Sequence, residues 1–149
     1  MKIKVLIFLF FIVVLTIDSY SQDKELKSFW KSFQSAVIDK KDSDVVKLTY
    51  FPIEAERQYF SFALVFDAEV IDKIKNSSIY DLEKVERTSD ELNDNPFDIL
   101  GLPEDLKEVY ILTVEGEYED DESMIGYDRI YVFGKISGKY KFLGFYVVE

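Results

Sequence analysis

The 22 residues from Tyr127 to Val148 constrain the fold most. Two runs rich in β-branched and aromatic residues, Tyr127 to Ile136 and Tyr140 to Val148, flank Ser137-Gly138. A two-residue link whose glycine is free to take positive φ is a tight hairpin turn. Around that turn Ile136 should face Lys139, Val132 face Leu143, Ile130 face Phe145 and Asp128 face Val147. One side is then aliphatic with Phe145, and the other carries Tyr127, Arg129, Tyr131, Phe133, Tyr140, Phe142, Tyr146 and Val148, since opposed residues share a face. A sheet with one wet face alternates apolar with polar, and neither side of this hairpin is polar. Both faces must be covered, one by a helix layer and the other by a cavity, a second protomer or more of the same chain.

The helix layer is legible upstream. Leu26, Phe29, Trp30, Phe33, Ala36 and Val37 recur at three- and four-residue steps, predicting an amphipathic helix over Gln22 to Lys40. Asp42 or Ser43 can cap a short second helix, Asp44 to Tyr50, which Phe51-Pro52 ends because the residue before proline leaves the α region. Phe60 to Lys75 is helix-like, with Phe60, Leu64, Ile71 and Ile74 on one face and a strand as the alternative for part of it. Asn76-Ser77-Ser78 stops it. Tyr80 to Pro96 is polar and reads as an irregular or partly helical excursion, and Leu102 to Asp105 as a turn. Val109 to Val114 is a strand, and the acidic Glu115 to Glu122 a solvated loop or frayed hairpin end. No repeat or linker interrupts the chain.

Residues 1–21 form a separate unit. Lys2 and Lys4 precede an apolar run, Val5 to Ile17, that is shorter than the roughly 20 residues a membrane-spanning helix needs. Ser19-Tyr20-Ser21 places small residues at the −3 and −1 positions of a cut before Gln22, the pattern of a secretory signal peptide. The expectation is an exported protein, periplasmic or extracellular, with one α+β domain over residues 22–149 and no membrane insertion after cleavage. Removing Lys2, Lys4 and Asp18 with the leader leaves 16 basic and 28 acidic residues, a net charge of −12. That balance, with no basic stripe, speaks against nucleic acid. With no cysteine, burial must hold the domain without disulfides, and 13 Phe, 10 Tyr and one Trp supply the area.

The chain also lacks histidine. Ser-His-Asp and Cys-His catalysis, thiolate chemistry and His- or Cys-ligated metals are therefore excluded. No glycine-rich phosphate loop is present, and no cofactor is implied. Glu115, Glu117, Glu119, Asp120, Asp121 and Glu122, and separately Asp90, Asn93, Asp94 and Asn95, are oxygen-rich, but neither spacing matches a calcium loop, and acidic runs are ordinarily hydrated. Arg129 among tyrosines can hold a ligand carboxylate with Tyr131 and Tyr146 as donors, or simply stack and pair within the protein. The expected contact surface, for a small apolar ligand or a homodimer, is Arg129, Tyr131, Phe133, Tyr140, Phe142 and Tyr146.

The opening, with Phe29-Trp30, Phe33 and then Phe51-Pro52-Ile53, and the ending, Tyr131-Val132-Phe133-Gly134-Lys135 with Lys139-Tyr140-Lys141-Phe142, resemble small exported bacterial domains of the NTF2-like, cystatin-type fold. The Ser19-Tyr20-Ser21 signal ending is similar to exported proteins of the Bacteroidetes. The resemblance covers about half of the chain after Ser21. It implies N-terminal helices packed on a curved antiparallel sheet that ends in a long hairpin. Fold analogy does not transfer function, and three readings stand: a non-catalytic binding or interaction protein; a pocket enzyme of isomerase or dehydratase type, with Asp67 or Asp128 as base and tyrosines at the oxyanion; and an acidic inhibitor or immunity protein that masks a basic partner.

Overall fold

The computed structural model describes residues 24–87, 95–120 and 123–148. The leader, its cleavage site, Asp90, Asn93, Asp94, Asp121 and Glu122 lie outside the described residues. The architecture is α+β, helices on a four-stranded antiparallel sheet of order β1-β2-β3-β4: β1 Glu83–Glu86, β2 Glu108–Asp120, β3 Ser123–Ile136 and β4 Lys139–Val148. The helices are α1 at 24–38, α2 Asp42–Leu48, α3 Phe62–Val65, α4 Ala68–Asn76 and α5 Pro96–Ile99. Among the described residues no helix is long and apolar enough to cross a membrane.

Helix α1 buries the stripe its periodicity predicts, Leu26, Phe29, Trp30, Phe33, Ala36 and Val37. Its polar residues also do structural work: Gln34 Nε2 donates to the carbonyls of Ile74 and Ser77 at 2.7 Å each, and Trp30 Nε1 to Ser77 at 3.2 Å. These carbonyls lie at the end of α4, and that of Ile74 also accepts the Ser77 N–H at 3.3 Å. Helix α2 begins at Asp42, after Lys41, and neither Asp42 nor Ser43 caps it. Thr49 then bridges to Phe142, so the chain leaves α2 along the outer side of β4 rather than continuing to Tyr50 as helix.

The expected Phe60–Lys75 helix is broken in two. Asp67 leaves the helical region and accepts the Val70 N–H at 3.0 Å, capping α4 as aspartate is suited to do. The buried face is Phe62, Phe66, Val70 and Ile74, four residues apart; Leu64, expected inside, is 82 % exposed. A strand lies in the supposed excursion after Tyr80: β1 pairs with Glu108–Ile111. The acidic stretch after Val114 is no loop up to Asp120, since β2 continues through it opposite β3.

The hairpin turn forms at Ser137-Gly138, with φ of 49° and 79°. Near the turn the register is as expected, Ile136 on Lys139 and Phe133 on Phe142. Beyond Phe133 it slips by one. Val132 pairs with Gly144, Ile130 with Tyr146 and Asp128 with Val148, so Leu143 is an extra residue, a β-bulge. The slip exchanges faces: Phe145 joins the helix-side core and Tyr146 the opposite side.

Both faces are covered, and by this chain. The helices cover the aromatic side. The segment 96–106 covers the other, where Phe97, Leu102 and Leu106 cluster with Val109, Ile130, Val132 and Leu143. Arg87 pins that segment, donating to the carbonyls of Leu102, Pro103 and Leu106 at 2.9–3.1 Å while its guanidinium lies 4.4 Å over Phe97.

Candidate functional site

The six residues expected to form a contact surface do not form one. Tyr131 and Phe133 have no exposed surface, and Phe142 and Tyr140 almost none. Phe133 and Phe142 each pack within 6 Å of Phe33. Tyr131 donates its phenol to the Val65 carbonyl at 2.7 Å, and burial pushes its pKa well above the ordinary tyrosine value. Tyr146 stands on the other face because of the bulge.

Arg129 is buried on β3 and bound by two carboxylates from the start of α4, Asp67 on Nη1 and Glu69 on Nη2 at 2.6 Å. The Tyr127 ring lies 5.7 Å from its guanidinium carbon. Burial alone would raise the Asp67 pKa, but the Val70 N–H and the Arg129 charge outweigh it and hold the carboxyl below its usual range. The Arg129 charge is thus neutralised from within the chain, and Asp67 is committed as a helix cap and ion-pair partner. Asp128, the other expected base, lies on the opposite side of the sheet, across from Glu115.

An open cleft of about 910 Å³ lies beside this clamp, where β2 and β3 continue past the helices. Its described lining includes Glu69, Glu115, Glu117 and Asp128, with no lysine or arginine. Tyr127 lies across Gly116, its cross-strand partner, so closely that a Cβ there would stand 2.5 Å from the ring. Glu115 is directly opposed to Asp128, and like charges so placed destabilise a strand pair. Among the described residues no group of three or more acidic side chains is arranged to hold a metal ion.

The cleft borders an unpaired edge, which sequence reasoning missed. β1 is four residues long and stops at Ile111, while β2 runs on to Asp120. The chain before β1 turns away into a short 3₁₀ segment, Ile79–Asp81, where Ser78 and Asp81 form a reciprocal cap. A Ser-x-x-Asp box is visible in sequence; where the following strand would end against β2 is not. No family model, no curated protein and no solved structure matches the chain.

Proposed function

We propose that this is an exported, non-catalytic interaction protein that works through its acidic outer surface rather than through an internal pocket. The observation that carries this reading is the filled interior. Side chains that would line a pocket between helices and sheet, Phe33, Tyr131, Phe133 and Phe142, are packed against one another. A pocket enzyme needs a carboxylate beside its tyrosines in an enclosed site. Asp67 is instead tied to Arg129, and Asp128 lies on the far side of the sheet. The helix layer on an antiparallel sheet ending in the long hairpin supports an NTF2-like, cystatin-type membership, and the residue 1–21 pattern supports export.

The acidic cleft favours a basic protein partner, as in an inhibitor or immunity role, because Glu115, Glu117 and Asp128 there have no cation among the described lining, while Glu69 is held by Arg129. A thermal-shift screen against small metabolites, run beside sedimentation with strongly basic proteins, tests the reading. Salt-sensitive complex formation with no metabolite stabilisation is expected. A metabolite that raises Tm by several degrees and loses that effect in Tyr131→Ala would overturn it. Amino-terminal sequencing of the processed protein should begin at Gln22.

A further inference from the structure

The unpaired edge of β2 has the geometry to take another strand. The Arg87 N–H donates to the Lys107 carbonyl at 2.7 Å, and Val85 and Glu83 pair with Val109 and Ile111. Main-chain groups in an antiparallel ladder alternate sides, so odd-numbered residues of β2 point their N–H and C=O toward β1. β1 ends at Glu83, and past Ile111 the same alternation leaves those groups of Thr113, Glu115 and Glu117 without a ladder partner among the described residues. An unpaired edge is a template for strand addition.

Charge selects the occupant. Side chains of Glu115 and Glu117 are exposed along this edge, with Asp128 and Glu69 beside them. A second copy adding antiparallel would bring Glu115 and Glu117 against the same residues of its mate, which like-charge opposition disfavours. A strand with lysine or arginine at alternate positions would instead neutralise them and relieve the Glu115–Asp128 opposition. We infer that the edge of β2 beyond Ile111 binds an extended basic segment of a partner protein by β-strand addition. This rests on the interaction reading above and names its site and binding mode.

The test uses the whole protein and a nine-residue peptide of alternating lysine and valine, followed by fluorescence anisotropy. Two comparison peptides are the same sequence with its edge-facing amides N-methylated, and a glutamate–valine version. Saturable binding is expected, with hydrogen-exchange protection appearing at Thr113, Glu115 and Glu117. N-methylation should weaken binding at least tenfold, and the acidic peptide should not bind. Glu115→Pro should weaken binding at least fivefold beyond Glu115→Gln, because proline removes the edge donor while an edge position tolerates it. If Glu115→Pro fails to fold, the N-methylated peptide carries the test alone. Equal binding of the methylated and unmethylated peptides would reduce the effect to charge attraction and overturn the inference, as would protection elsewhere or a strand-paired homodimer. An edge that stays empty while the protein forms a stable complex through another surface overturns it too, and leaves the interaction reading standing.

Discussion

Phe145 stacks on Tyr131, ring centroids 5.3 Å apart and planes 12° from parallel, and it does so because Leu143 is an extra residue in β4. Without the bulge Phe145 would point to the far side of the sheet and Tyr146 would take its place over the helix-side core. The bulge turns on Gly144, at φ +137°, a conformation that a side chain makes costly. A Cβ there would also stand 3.4 Å from Leu100.

Gly144→Ala should therefore destabilise the protein by about 1–3 kcal/mol, the scale of a residue forced into sparsely populated backbone space. Urea denaturation should show a lower midpoint with the slope unchanged.

Arg87 holds the 96–106 segment through three carbonyls and the Phe97 ring. Lysine has one ammonium where arginine has a rigid fork, so Arg87→Lys should cost about 1.5–3 kcal/mol, the range for charged hydrogen bonds lost at a partly buried site. Hydrogen exchange should show the effect at Phe97–Leu106 first, with the helix-side core less affected.

Asp67 links stability to acid. Its folded pKa lies below the ordinary carboxylate value, so its contribution is complete above the unfolded pKa of about 3.9 and is lost as pH falls through the lower folded value. Asp67→Asn keeps a side chain able to cap α4 but removes the charge facing Arg129. The stability gap between wild type and Asp67→Asn should be widest at pH 6–7 and narrow as pH falls below about 4. A gap that stays constant with pH would mean the ion pair contributes nothing.

Tyr131→Phe deletes one hydroxyl and leaves the Val65 carbonyl without that donor. The expected loss is about 1–2 kcal/mol, read as a lower Tm without loss of the far-ultraviolet dichroism. The same variant should lose one late-ionising phenol in an alkaline absorbance titration, since burial holds this group protonated beyond the ordinary tyrosine range.

Periodicity carried the local part of the fold. The α1 stripe from Leu26 to Val37, the Ser137-Gly138 turn and the need to cover both hairpin faces were all readable, because each depends on neighbours a few residues apart. The α4 cap is hidden within one long apolar pattern: Phe62, Phe66, Val70 and Ile74 keep a common face across the break at Asp67, and a face pattern does not register a change of axis. Charge composition likewise hid strand structure after Val114, since an acidic run such as Glu115 to Asp120 looks like a loop although it pairs with β3.

The sequence by itself determined the α+β class and the absence of histidine and cysteine chemistry, together with a hairpin that no single wet face can accommodate. Tertiary structure alone decided which side each aromatic residue took, because one bulged residue inverts every position after it and period-two alternation carries no record of an insertion. It also decided that Arg129 is a buried clamp rather than a ligand anchor. Asp67 and Glu69 lie some sixty residues away in sequence, and only the packing of α4 on the sheet brings their carboxylates to that guanidinium.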